Sequence, residues 1–321
     1  MDRKNNFDFI RLLAATMVMY SHSFALSGHL EPGFAGNSLG GYGVWIFFSI
    51  SGFLITGSYM RQNSIIKFMK ARLLRIIPAL VPLILLTVFL LGPILTTFEL
   101  SDYFSHKLTW VYLKNIFPWK IYYRLPGVMD DHAINGSLWT LPAELKCYVA
   151  VGLLGLLGLL KYRWMGILLG VCGLLSMIYY SNFAASAIKI TQMMFVAGAA
   201  YYFVWENIPR NRWMALGASV IWIVSVSYDH SGFVGPISFI FATYVILYLG
   251  FCKPLKLWNL TKWGDISYGV YIYAMPVQNV ISYYHGWHMN PYLNFMYTML
   301  IVFPLAWLSW HFVENKALKL K

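Results

Sequence analysis

Polar connectors break the chain into ten apolar stretches, and each is close to the roughly 17–25 residues a helix needs to cross a bilayer. They fall at residues 9–26, 41–60, 76–95, 137–160, 164–180, 188–205, 213–228, 234–252, 266–284 and 292–313. Few folds are open to such a pattern. In hydrocarbon, backbone polar groups must be satisfied within their own segment, and that selects helices. Composition agrees: 11% of the residues are charged, against about 25% in soluble domains. The expectation is an all-α polytopic membrane protein with about ten transmembrane helices, and an even number returns both termini to one side.

The distribution of charge tests that count. A formal net charge of +12 suggests nucleic acid until the residues are placed. Lys107, Lys114, Lys120, Arg124, Lys146 and Lys189 fall on one side of the ten spans. The rest of the 24 Lys and Arg fall on the other, among them Arg3, Lys4, Arg11, the basic residues of a connector at 61–75, Lys262 and Lys321. Positive loops stay inside, so both termini are expected to be cytoplasmic. The partner is then a lipid bilayer, and no nucleic acid. Tyr59, Trp164, Trp205, Trp213, Tyr228 and Tyr284 sit at span ends and suit an aromatic belt.

Arg3 and Lys4 ahead of an apolar run, with Ala25-Leu26-Ser27 after it, resemble a signal peptide. Asp8 and Arg11 crowd that run too closely, and the segment reads as retained. Cys147, Cys172 and Cys252 each stand alone, so neither a disulfide framework nor a metal site is expected. His285 and His288 lack a third ligand. No fixed-period repeat appears. The expectation is a single membrane-embedded domain over residues 1–321 with no fused soluble domain. The connector at 96–135 is too long for mere linkage, and its aromatic and basic residues suggest a lip over an outward-facing cavity.

Within this framework a few polar groups stand out. The stretch Phe7–His22, FDFIRLLAATMVMYSH, carries Arg11 and His22 on one helix, about 16 Å apart along its axis at about 1.5 Å per residue. Ionisable groups inside a span are costly and default to a functional reading. The bland reading is a snorkelling arginine and a histidine bonded between helices. Glu144, about seven residues into the fourth span, lies at a depth similar to His22. It would fix the tautomer of His22 and stabilise its imidazolium, or simply pair with Lys146 or stay solvated at the outer surface. Asn135 or Ser137 would cap that helix, and Pro142 would weaken its ladder. Arg72 and Arg75 share a helix face at the inner end of the third span. With Arg11 they form a set suited to a polyanion, or they are ordinary inside charge. No P-loop and no complete GxGxxG is present, and Ser51 lacks a nucleophile-elbow context.

These residues occur in an order that resembles the acyltransferase 3 family of integral membrane acyltransferases. The resemblance rests on FDFIR with His22 eleven residues beyond Arg11, and on GVWIFFSISGFLITGSY leading to Arg72-x-x-Arg75-Ile-x-Pro78. SLWTLPAEL with Trp139 and Glu144, DISYGVYIYAMPVQ from Asp265 to Gln278, and a terminal VEN at Val313–Asn315 complete it. The family implies a ten-helix fold that takes an acyl group, commonly acetyl, from cytoplasmic acyl-coenzyme A. The group passes to a hydroxyl of a glycan or lipid-linked sugar on the far side, as in modification of cell-envelope polysaccharide. It implies His22 and Glu144 as catalytic residues, and Arg11, Arg72 and Arg75 as the residues binding the acyl-CoA, with no metal. Two positions depart from the family pattern: Ala274 stands where many members have histidine, and Lys316 where proline is common. Succinyl is the alternative to acetyl. A transporter or flippase for a lipid-linked sugar is the rival class, although no related half is visible to support it.

Overall fold

The structure, a computed structural model, describes residues 5–34, 36–182, 187–227, 234–257 and 264–321. Arg3, Lys4, Tyr228 and Lys262, used above for topology and the aromatic belt, lie outside the described residues. Each of the ten apolar stretches is helical. Helix α1 is Phe7–Ala25, α2 is Leu39–Gln62 and α3 is Ile65–Leu95. The long connector holds two short helices, α4 (Leu100–Ser105) and α5 (Lys107–Tyr112). Next come α6 (Thr140–Leu156), α7 (Trp164–Asn182), α8 (Ala187–Val204) and α9 (Arg212–Ser227). Helix α10 joins Val234–Ile237 to Thr243–Phe251 through a π-helical turn at Ser238–Ala242. The last two are α11 (Ser267–Tyr284) and α12 (Pro291–Leu318). Among the described residues the strands amount to a two-residue hairpin, Gly33–Phe34 against Asn37–Ser38, so the fold is nearly all-α.

Four helices, α2, α3, α8 and α12, are long and apolar enough to cross a membrane by length and composition. Apolar segments at Trp164–Tyr179, Arg212–Ser227 and Ser238–Phe251 are shorter. On α3, Leu86, Phe89, Leu90 and Ile94 are exposed, and on α12 so are Met296, Leu300 and Ile301. Such side chains are at home in lipid, not water.

One boundary differs in kind. The basic stretch at 61–75 is no connector: α3 begins at Ile65, so Lys67, Lys70, Arg72 and Arg75 all ride on it. Isoleucine, leucine, lysine and arginine are compatible with helix, and charge at one end of a span lowers hydropathy without breaking the helix. Pro78 and Pro82 likewise lie inside α3, not at its entrance.

The described residues of Met1–Ala14, Pro32–Met69 and Lys146–Trp263 form one compact unit, and those of Ala15–Glu31, Lys70–Leu145 and Gly264–Lys321 form another. In the first unit α2 and α8 pack backbone to backbone. A Cβ on Gly52 would strike the Phe195 carbonyl, and one on Gly198 the Ser49 carbonyl. Gly166 on α7 faces the Phe203 side chain on α8. Phe7, Phe53, Trp205, Tyr244 and Leu247 fill the core of this unit. The side chain of Asn6 ties the start of α1 to the end of α10 by donating to the Leu249 and Cys252 carbonyls, each at 2.8 Å.

In the second unit α11 and α12 pack side by side, and the connector folds upon itself. Thr96 bridges to Val128, and the buried Tyr103 donates to the Val88 carbonyl at 2.9 Å. The Asn115 side chain pairs with both polar groups of the Tyr122 backbone, at 2.8 Å each. Asn279 of α11 donates to the carbonyls of Ala133 and Ile134 at 3.0 Å each, which fixes the end of the connector.

Candidate functional site

His22, Glu144, Arg72 and Arg75 all belong to the second unit, and Arg11 belongs to the first. Each is placed by a different device.

His22 lies in the C-terminal half of α1. Gln278 of α11 holds that half through a 2.7 Å bond to the Met19 carbonyl. Tyr20 and Phe24 pack edge-on against Phe295 and Tyr292 of α12, with centroids 5.2 and 5.4 Å apart. Opposite His22 is the turn that opens α6. There Ser137 is buried, its hydroxyl 3.5 Å from His22 Nδ1. The turn is itself pinned: Tyr271 donates to the Ser137 carbonyl at 2.8 Å and meets the Thr140 hydroxyl at 2.9 Å. Asn135 and Ser137, expected as helix caps, serve otherwise. Asn135 makes no cap bond and donates across to the Ile272 carbonyl of α11 at 2.8 Å, while Ser137 faces His22. Pro142 sits in the first turn of α6, where a missing N–H removes little.

The carboxylate whose charge acts on the His22 ring is Glu31, in the segment after α1. Its Oε2 accepts a bond from the buried Ser21 hydroxyl. Glu144, half-buried on α6, interacts electrostatically with Tyr268 and Tyr271 of α11. Those tyrosines are three residues apart and share a helix face, about 4.5 Å apart in rise. Tyr271 begins a polar line that reaches Ser137 and, through it, His22, and the charge of Glu144 acts on that tyrosine. Tyr268, on the same face, lies beneath the Arg75 guanidinium.

Arg75 is the most heavily engaged of the expected residues. Its Nη2 donates to Asp265 and its Nη1 lies 3.5 Å from Glu314. Its guanidinium also lies over Tyr268 at 5.8 Å and Trp310 at 5.6 Å from the ring centroids. Asp265 is held by the Ser267 hydroxyl. Glu314 is 1% exposed and accepts from Ser309 at 3.0 Å, and Tyr273 reaches that same serine at 3.2 Å. A π-helical turn at Trp310–Glu314 carries the carboxylate, a distortion often found at functional positions. Asp265 and Glu314 stand within the DISYG and VEN motifs, but spacing gave no sign that both would close on Arg75. Arg72 is half-buried one turn away on α3. Desolvation, and then the charges of Arg72 and Arg75, pull the Lys321 amine down to about 8, which marks a positive field at this end of the unit.

Arg11, in the first unit, lies 3.6 Å from Asp8 in an i,i+3 pair whose acid is about half exposed. Such pairs contribute little.

Three buried amide oxygens in the second unit, Asn135 Oδ1, Gln278 Oε1 and Asn279 Oδ1, have no hydrogen-bond partner among the described residues. In each case the amide nitrogen is the end tied to backbone, so the oxygen is an acceptor with capacity unused. Buried acceptors without donors are rare in folded chains. These three oxygens are acceptors whose capacity no described residue uses.

Comparison with known proteins gives this arrangement a setting. Residues 4–313 match the family described as Acyltransferase domain. A Shigella phage Sf6 protein named O-acetyl transferase is 35% identical, over 99% of this chain and 97% of its own length. Nodulation protein 10 of Rhizobium leguminosarum bv. viciae is 29% identical, over 99% and 94%. No solved structure matches. With its motifs in order and a match over nearly its whole length, the chain belongs to the acyltransferase 3 family of integral membrane acyltransferases.

Proposed function

We propose that this acyltransferase takes an acyl group, acetyl first and succinyl second, from cytoplasmic acyl-coenzyme A. It delivers the group to a hydroxyl of an extracytoplasmic or lipid-linked glycan. The ten helices are read as ten spans of a bacterial cell membrane with both termini cytoplasmic, following the charge asymmetry. The observation that carries the reading is the run of polar side chains along α11 inside one unit: Arg75 over Tyr268 at one end, and Tyr271 bonded to Ser137, which faces His22, at the other. It runs from a cationic end suited to phosphates to a proton acceptor.

In this reading Arg72 and Arg75 set the field that draws the donor's phosphates, and Arg72 makes the direct contact. Arg75, already gripped by two carboxylates, shapes the site more than it closes on a ligand. Arg11 is assigned an anionic group of the donor on its motif alone. His22 takes the proton of the acceptor hydroxyl as that oxygen attacks the thioester carbonyl. The carbon–sulfur bond breaks, and the imidazolium returns the proton to the departing thiolate. Base assistance of this kind typically supplies about 10²–10⁴-fold. Glu31 stabilises the imidazolium. Glu144 acts at one remove, through Tyr271 and the Ser137 turn.

The test is transfer itself. Purified protein in vesicles, given acetyl-labelled coenzyme A on the Arg75 side and a lipid-linked glycan, is expected to place label on the glycan. Translocation of the lipid-linked sugar with no label transferred would reject the enzyme and leave the transporter.

A further inference from the structure

His22 can act as a base through only one of its nitrogens at a time, and the contacts around Ser137 choose which. Two groups approach the sulfur of Met275: the Ser137 backbone N–H at 3.1 Å and the Ser137 hydroxyl at 3.4 Å. A thioether sulfur carries no proton and only accepts. A hydroxyl has one hydrogen, and 3.4 Å is an ordinary reach to a large sulfur atom. The 3.5 Å to His22 Nδ1 is long for a hydrogen bond in either direction, so the sulfur contact has the better claim on the hydroxyl hydrogen. The hydroxyl hydrogen therefore goes to sulfur, and the oxygen turns a lone pair toward Nδ1. For that contact to be attractive, Nδ1 must bear the proton.

Met275 is well placed to enforce this. It sits on α11, four residues beyond Tyr271, which holds the Ser137 carbonyl. Its sulfur and methyl group press against Gly136, where an added Cβ would stand 2.9 Å from the methyl and 3.2 Å from the sulfur. One helix thus fixes the serine by its carbonyl, its amide and its hydroxyl. The charge of Glu31 acts on the ring as a whole and does not choose between its two nitrogens.

We propose that Ser137 and Met275 are positioning residues that hold neutral His22 as the Nδ1–H tautomer and leave Nε2 as the atom that takes the acceptor's proton. The assignment deepens the reading of His22 as a base and rests on it for its catalytic meaning, but the tautomer can be read without activity. A second partner of an imidazole commonly sets its tautomer in this way. What is unusual here is that the choice is made by a sulfur atom one contact away.

The experiment is nitrogen-15 NMR of histidine-labelled protein in lipid, with His22 assigned by its loss in His22→Gln. The unmodified protein is expected to show the Nδ1–H tautomer. Met275→Leu keeps the bulk, frees the serine hydrogen and should shift the ring toward Nε2–H. Its kcat should fall about tenfold while the KM for acyl-coenzyme A stays put. Ser137→Ala should lose the preference and about 10²-fold in kcat, within the range of base catalysis, and Ser137→Thr should restore both. An Nε2–H ring in the unmodified protein, or a tautomer unmoved by Ser137→Ala and Met275→Leu, overturns the assignment. Should the tautomer respond while no acyl transfer occurs in any form, the assignment stands and the proposed function falls.

Discussion

The two ends of the polar run in the second unit are built on opposite plans. Around Arg75, the charges are answered by opposite charges, serines and aromatic faces. Around His22, the serine contact is long, the fixed partner is a thioether, and three buried amide oxygens have no partner among the described residues. A saturated network holds helices in place. Its charges are already answered, and a ligand would have to displace strong partners to use them. An unsaturated cluster holds less tightly but offers bonds to whatever arrives. On this contrast the proposed function places structure chiefly at the Arg75 end and chemistry at the His22 end.

The sharpest way to break that division is His22→Ala. Acyl transfer should fall by about 10²–10⁴-fold, while extraction and thermal unfolding in detergent stay close to those of the unmodified protein. A variant that transfers at the normal rate removes His22 from the chemistry. One that fails to fold moves it to the structural side.

Arg75→Ala is the converse and should act first on folding. It leaves Asp265 and the buried Glu314 facing one another without a cation, a change that costs about 3–5 kcal/mol when one partner of a buried pair is removed. The measure is the yield of monodisperse protein and its unfolding temperature. An Arg75→Ala protein that folds normally and loses only acyl-coenzyme A affinity would turn this end into a binding site. Arg72→Ala, one turn away, serves as the donor-side control.

Much of this arrangement was legible in advance, and the residues show where legibility stops. Ten apolar stretches announced ten helices because hydropathy and helix length are local properties. The start of α3 was missed by about ten residues because Lys67, Lys70 and Arg72 lower hydropathy while leaving helix propensity intact. His22, Arg72 and Arg75 could be named because an ionisable group against an apolar background is visible in sequence. Their partners could not. Asp265 and Glu314 lie 190 and 239 positions from Arg75, and no periodicity reports a contact of that separation. Glu31 sits only nine residues past His22, but in a loop, where sequence gives no direction to a side chain. Depth along the spans offered Glu144 as the carboxylate beside His22. In the fold the charge of Glu31 acts on the ring, and that of Glu144 acts on Tyr268 and Tyr271.

That exchange yields a smaller effect to look for. Glu31→Gln removes a charge acting on His22 and should lower kcat about tenfold, less than the roughly 10²–10⁴-fold of base assistance because the base itself remains. Glu144→Gln should do less, since its influence passes through Tyr271 and a turn held by other bonds. Both are read as kcat at saturating donor and acceptor. The reverse ranking would restore Glu144 as the carboxylate that matters to His22.

The smallest expected effect probes how saturated the Arg75 end is. Ser309→Ala deletes one hydroxyl that donates to Glu314 and meets Tyr273, but Glu314 keeps its contact with Arg75, which in turn keeps Asp265. A single net hydrogen bond contributes about 1 kcal/mol, so the unfolding temperature should drop by a few degrees, and kcat and both KM values should not move. The matching change at the other end, Ser137→Ala, also deletes one buried hydroxyl but should act on rate. Similar deletions with opposite readouts are what a locked end and an open end require. If Ser309→Ala lowered turnover as much as Ser137→Ala, the two ends would be one coupled device.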